Sequence, residues 1–332
     1  MIITRTPYRI SFFGGGTDHP VWYNKNGGAV LSTSINKYCY ITCRFLPPFF
    51  KHKHRIVYSK QETVNHIDDI DHPSVRESIR HVGIKEGLEI HHDGDLPAKS
   101  GLGSSSSFTV GLLHALYALT GETKNKHQLV RDAIHVEQNL IKENVGSQDQ
   151  TIAAFGGLNR IDFNRNQKIS VTPINLSPNR LDDFQNHLLL FFTDFSRKAS
   201  DIEAEKLKNF KNKTNELKAM TAMVKEGVGI LKSHKDLNDF GKLLNESWKL
   251  KRSLASIVST SKIDAIYETG IKAGAIGGKL LGAGGGGFML FFAPSERHKE
   301  IKDKLKKFLH VPFRIEHTGS QIIYPSSQIK LS

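Results

Sequence analysis

Apolar and polar positions along the chain alternate between two periods, and the change of period marks out its parts. The opening run IITRTPYRISFF, residues 2 to 13, is dense in apolar and β-branched residues and predicts a strand that stops at Gly14, Gly15 and Gly16. A second strand pattern, YCYITCRF, puts Cys39, Ile41 and Cys43 on one side. FTVGLLHALYALTG, ending at Gly121, is apolar nearly all round and predicts a buried helix. Between Gln128 and Ile141 a helical stripe runs through Leu129, Val130, Ala133, Ile134, Leu140 and Ile141, and its middle position is Glu137. Two prolines interrupt the periodicity in TPINLSPNR, up to Arg180, so a boundary is expected there. Beyond it come the strand HLLLFFTD, long helices from Asp201 to about Leu254, and a closing βαβ-like pattern through Gly287, Phe308 and Ile323. The pattern predicts an α+β protein of two domains, residues 1–176 and 177–332.

Length and composition narrow the class. A chain of 332 residues can bury a core in each of two domains. No apolar run approaches the roughly 20 residues of a membrane span, and MIITRTPYRI lacks the charged and apolar regions of a secretory signal. A cytoplasmic protein with no membrane partner is expected. The net charge of +13 comes from 46 Lys and Arg against 33 Asp and Glu. In DIEAEKLKNFKNKTNELKAM and RHKEIKDKLKKF the lysines alternate with acids, as on solvated helix faces, so the excess charge does not form a nucleic-acid-binding stripe. It suits anionic small-molecule substrates, whose encounter a positive field speeds. Two cysteines are too few for a structural zinc site and are expected as reduced core residues. The sixteen histidines show no ligand spacing with an acidic partner and are assigned to surface and loops.

Four segments carry candidate chemistry. In LPAKSGLGSSSSF, residues 96 to 108, Gly101 and Gly103 precede four serines at a helix start, which makes either a phosphate cradle or a serine-capped helix. In KLLGAGGGGFMLFF, residues 279 to 292, five glycines enter a buried strand, as a hinge or as backbone passing close to a ligand. Arg9 lies inside the first strand and points either to solvent or into a site at the strand end. A carboxylate at the centre of an apolar stripe is costly unless paired or bound to metal, so Glu137 is a metal-ligand candidate with a salt bridge as the alternative. Asp149, in the loop GSQDQ, is a turn residue or a catalytic one.

Three motifs in this order, TPYR (Thr6 to Arg9), PxxxGLGSS (Pro97 to Ser105) and GAGGGG (Gly282 to Gly287), resemble the GHMP small-molecule kinases over almost the whole chain. FFGGGTDHPVWY, KSGLGSSSSFTVGLL and LLNESWKLKRSL are most similar to the branch acting on D-glycero-D-manno-heptose 7-phosphate. The resemblance implies a ribosomal protein S5 domain 2-like N-terminal half, a ferredoxin-like C-terminal half and an active site in the cleft between them. It implies ATP held by Lys99, Gly101, Leu102, Gly103, Ser104, Ser105 and Ser106, with Mg²⁺ on Ser105 and Glu137. Asp149 would orient or deprotonate the attacking anomeric hydroxyl, and Arg9 would stabilise the phosphoryl charge. Gly15, Gly16, Thr17, Asp18, Gly284 and Gly285 fall at substrate positions, Asp18 as the hydrogen-bond partner of the sugar. Galactokinases carry GEHTDY where this chain has GGGTDH, so Gly15 stands in place of their sugar-contacting Glu and argues against galactose. Arg197 and Lys251, beyond what ATP requires, are candidates for the phosphate of a sugar phosphate; on a helix Lys251 shares a face with Trp248. Another anomeric sugar kinase, resembling fucokinase, a catalytically silent sugar sensor and an RNA-binding protein on the S5-like fold remain as alternatives. The mixed charge pattern does not favour the last.

Overall fold

The computed structural model describes residues 1–98, 100–194 and 199–324. The first sheet is built from β1 (Ile2–Phe13), β2 (Gly28–Phe45), β3 (His54–Val57), β4 (Gln61–Val64), β5 (Leu88–Gly94), β6 (Leu158–Phe163) and β7 (Ile169–Pro173). The second is a four-stranded sheet of β8 (Leu188–Phe192), β9 (Gly277–Leu280), β10 (Phe288–Phe292) and β11 (Leu309–His310), in the order β11-β8-β10-β9. The chain then returns to the first sheet with β12 (Ile315–Glu316) on β2 and β13 (Gln321–Tyr324) on β1. β2 is long enough to pair twice on one side, its start with β6 and its end with β5.

The strand read from residue 2 to Phe13 is β1, nearly all of it buried. Cys39, Ile41 and Cys43 share a fully buried face, and both thiols are free; burial raises each thiol pKa, that of Cys43 to about 12. They are inert core groups.

The closing βαβ-like expectation is met in part: β10, the helix His298–Lys304 and β11 follow in that order, and β10 and β11 run parallel on either side of β8, whereas the strand near Ile323 is β13 of the first sheet. β9 and β10 are antiparallel neighbours joined by the glycine run, and every pairing in the second sheet is antiparallel. Glycines with positive φ let the chain reverse within that run, so it needs no crossover helix.

The helix Ser104–Leu119 lies on β1 and β2, with Val110, Leu112, Leu113 and Leu116 out of solvent. Its even apolarity reflects layers on several sides. On the other side of the first sheet the helix Thr214–Lys232 packs so tightly that a Cβ at Gly227 would lie 2.6 Å from Phe13. One core therefore runs from Tyr8 and Ile10 through Phe12, Phe184 and Phe240 to Phe292, holding the two sheets together.

The segment 126–141 departs from a single regular helix. An α-helix, Lys126–Ile134, passes into a π-helical turn, His135–Leu140. The extra residue per turn shifts the stripe: Val136 and Glu137 face the interior, while Leu140, expected on the buried face, is 38% exposed. Such turns mark places where a side chain is aimed at a site.

Candidate active site

A cavity of about 670 Å³ lies where the end of β1, the start of the helix Ser104–Leu119, the loop 143–149, the helix Ala199–Asn209 and the glycine run converge. Each element contributes through a feature visible in its residues. β1 delivers Arg9, which is 5% exposed and points into the cavity rather than to solvent. Its Nε and Nη2 donate to the two oxygens of Asp149, both at 2.7 Å, and Nη1 donates to the Gly101 carbonyl at 2.7 Å. This bidentate fork fixes the carboxylate in position and orientation.

Gly101 and Gly103 have φ of +83° and +74°. A Cβ at Gly103 would meet Arg9 Cγ at 3.0 Å, and one at Gly282 would lie 2.4 Å from the Gly101 Cα. The two glycine motifs therefore interlock, and nothing larger fits between them. Close backbone approach, rather than a hinge, accounts for Gly282. The first amides of the helix Ser104–Leu119 and its dipole face the cavity beside Ser104, Ser105 and Ser106, an anion seat by construction.

Glu137 is fully buried. Its Oε2 accepts from Ser106 Oγ at 2.9 Å and from Gln150 Nε2, while Oε1 has no partner among the described residues. No Lys or Arg is paired with it among those residues. Burial pushes its carboxyl up to about 7, against the hydrogen bonds from Gln150 and Ser106. An orphaned, inward-facing carboxylate oxygen beside a serine suits a hard divalent cation. Ser106, not Ser105, contacts Glu137; the Ser105 side chain is exposed at the cavity mouth.

A stability signature follows. The folded chain keeps a proton on Glu137 between pH 4.5 and about 7 that the unfolded chain releases, so this contribution is complete below pH 4.5 and is lost as pH rises through 7. The loss amounts to about 3 kcal/mol at 1.36 kcal/mol per unit. Thermal unfolding without divalent cations should show wild type losing stability over that window and Glu137→Gln losing much less. Parallel pH profiles for the two proteins would exclude the protonated carboxyl.

The remaining sequence candidates divide. Gly15, Gly16, Asp18 and Gly284 line the cavity. Asp18 is also a staple: Oδ1 accepts from the Gly16 amide at 2.8 Å and Oδ2 from the Gln148 amide at 3.3 Å, tying the glycine turn to the loop carrying Asp149. Thr17 is turned away, its hydroxyl donating to the carbonyls of Gly14 and Ala29. Leu102 is buried and meets Arg9 through its backbone, and Gly285 bonds Val258; neither lines the cavity. Lys251 lines it, buried, with its ammonium on the carbonyls of Leu280 and Gly282. Lys99 and Arg197 lie outside the described residues.

Several cavity residues escaped the sequence reading. His19, His72 and His92 line it, which corrects their assignment to surface and loops. His72 stacks on Phe108 with ring centroids 4.7 Å apart, and burial pushes its pKa down to about 4. Lys279 is 4% exposed and donates to the Phe12 carbonyl at 2.7 Å. Lys206 donates to both oxygens of Glu203, at 2.7 and 2.9 Å, and His19 pairs with Glu203 at 3.2 Å. Burial acts to raise the Glu203 pKa, but Lys206 and His19 outweigh it and hold the carboxyl at about 2.

Comparison with known proteins agrees with this geometry. Residues 73–157 match the family described as GHMP kinases N terminal domain, and residues 219–311 match GHMP kinases C terminal. D-glycero-alpha-D-manno-heptose 7-phosphate kinase of Campylobacter jejuni is 30% identical over 318 residues, 91% of this chain and 92% of that protein. The bifunctional fucokinase/GDP-fucose pyrophosphorylase of Arabidopsis thaliana is 25% identical over 93% of this chain, which spans only 31% of that larger enzyme. Among solved structures, a D-glycero-D-manno-heptose 1-phosphate kinase from Bacteroides thetaiotaomicron superposes with a TM-score of 0.81 at 22% identity, over 98% of this chain and all of that one.

Proposed function

The chain belongs to the GHMP kinases, with their two-domain fold, and from that premise we propose that it transfers the γ-phosphoryl group of ATP to the anomeric C1 hydroxyl of D-glycero-D-manno-heptose 7-phosphate, giving the 1,7-bisphosphate. The observation that carries the reading is the Arg9–Asp149 fork set beside the amides at the start of the helix Ser104–Leu119. A nucleophile-orienting carboxylate and a phosphate cradle then share one wall. The 30% identity to a kinase of heptose 7-phosphate along nearly its full length supports the choice of sugar.

Phosphoryl transfer needs positioning and charge neutralisation more than covalent chemistry. Asp149 accepts the hydrogen bond of the attacking hydroxyl and takes its proton as the bond to phosphorus forms. Arg9 holds that carboxylate and keeps guanidinium N–H groups for the phosphoryl oxygens. The amides of Gly103 to Ser106 bind the donor phosphates. Glu137, through its free Oε1, with Ser106 or Ser105 beside it, would hold Mg²⁺, which neutralises phosphate charge when bound. Asp18 and Gln148 line the same cavity and would hydrogen-bond the sugar hydroxyls. The aromatic group His72, Phe108 and His92 offers apolar faces for the nucleobase. No helix among the described residues is long and apolar enough to cross a membrane.

The experiment is a substrate panel in a coupled ADP-release assay: heptose 7-phosphate, free heptose, fucose, galactose and mannose, each with ATP or GTP. Heptose 7-phosphate should have the highest kcat/KM by at least about tenfold, as expected when a site is built for a charged group. A preference for fucose would move the assignment toward the fucokinase among the relatives. Failure of every sugar would contradict the kinase reading.

A further inference from the structure

The cavity is lined by two buried lysines that its neighbouring ion pairs leave without a carboxylate. Asp149 is occupied by Arg9, and Glu203 by Lys206 and His19. Lys251 and Lys279 are 6% and 4% exposed, line the same cavity, and have no carboxylate partner among the described residues. Lys251 Nζ donates to the carbonyls of Leu280, at 2.8 Å, and Gly282; Lys279 Nζ donates to the carbonyl of Phe12. A carbonyl accepts a hydrogen bond but brings no net charge. Of the three protons on each ammonium, one on Lys251 and two on Lys279 are therefore left for another acceptor. Two uncompensated cations in a dry wall weaken the fold unless an anion offsets them.

Position adds the second argument. Lys279 is tied to the end of β1, two residues before the glycine turn Gly14 to Gly16, and Lys206 with Glu203 reaches His19, just past that turn. These cations sit close to the Arg9 guanidinium of the fork and, through the Gly282 carbonyl, to the Gly101 turn. Burial, with repulsion among Lys279, Lys206 and Arg9, drives the Lys251 pKa well below that of an ordinary lysine; burial with Arg9 and Lys206 takes Lys279 down to about 7. A dianion seated between them would relieve both effects.

We propose that Lys251 and Lys279 form a seat for a phosphoryl oxyanion beside the Arg9–Asp149 fork. The inference rests on the kinase reading above, because that reaction brings two such groups to this wall: the phosphate ester already on the acceptor and the phosphoryl group in transit. Lys251 therefore keeps the sugar-phosphate candidacy that its sequence position suggests, and Lys279 joins it.

Calorimetric titration of the nucleotide-free protein with inorganic phosphate, together with melting temperatures, tests the seat. Lys251→Met and Lys279→Met should each weaken phosphate binding about tenfold or more, the loss of one charge-assisted contact. Each ligand-free variant should melt at or above wild type, because a buried uncompensated charge has gone. Lower melting temperatures with unchanged phosphate affinity would mean that the lysines only pin backbone carbonyls, and would overturn the proposal. Lys279→Met leaves the donor to Leu280 and Gly282 in place, so it keeps the test open if Lys251→Met does not fold. Turnover then separates the two sources. A raised KM for heptose 7-phosphate but not for free heptose assigns the seat to the acceptor's ester; a fall in kcat with both assigns it to the phosphoryl group in transit. Phosphate binding that depends on both lysines in a protein inactive on every heptose would sink the substrate assignment and leave the seat standing.

Discussion

Asp149→Asn is expected to lower kcat by roughly 10² or more, the range that general-base and positioning effects reach, while KM for ATP changes little. The substitution keeps size and shape but replaces one acceptor oxygen by an amide that donates. That amide faces Arg9, whose Nε and Nη2 both point at the carboxylate. The fork loses one of its two bonds, and the attacking hydroxyl loses its proton acceptor. Because Asp149 contacts solvent on one side, the fold should persist, and circular dichroism should overlay with wild type. Turnover within a fewfold of wild type would remove Asp149 from the chemistry and leave it as an anchor for Arg9.

Arg9→Met should cost about 10² to 10³ in kcat/KM, the effect of deleting one preorganised donor to developing charge. Arg9 does three things at once. It fixes Asp149, holds the Gly101 carbonyl and so the glycine turn, and presents charge to the phosphoryl group. Arg9→Lys should recover only part of the loss, since an ammonium cannot span both carboxylate oxygens in the same geometry. Groups that act as a unit lose function together, so the double variant Arg9→Met/Asp149→Asn should be only modestly worse than the poorer single one. Fully additive losses would show that the two residues work independently, contrary to the fork.

Much of this site is legible in the residues alone, for a physical reason that also sets the limit. Glycine runs, a serine-rich helix start and a carboxylate in an apolar stripe each depart from what a packed core wants, and such departures concentrate where ligands bind. Glu137 stands out because nothing apolar explains it, and its unpartnered oxygen matches that reading. The π-helical turn that aims it is not legible, because the sequence there satisfies an α-helical stripe equally well. Glu203 and Lys206, three apart, look like an ordinary solvated pair; only the packing of the helix Ala199–Asn209 against His19 buries them. Lys279 hides inside an apolar run, where a lysine reads as the edge of a strand. His72 and His92 lie on a helix edge and a strand separated by nearly twenty residues and meet only through Phe108. The return of β12 and β13 to the first sheet depends on pairings across some 280 to 320 residues, which local periodicity does not encode.

The most direct measurement of the central claim is phosphorus NMR of the product formed from ATP and heptose 7-phosphate. The proposed chemistry predicts a second sugar phosphate resonance, coupled to the anomeric proton, growing in step with ADP while the 7-phosphate signal persists. ADP formation with only inorganic phosphate released, or a new phosphate coupled to any proton other than the anomeric one, would contradict an anomeric sugar-phosphate kinase.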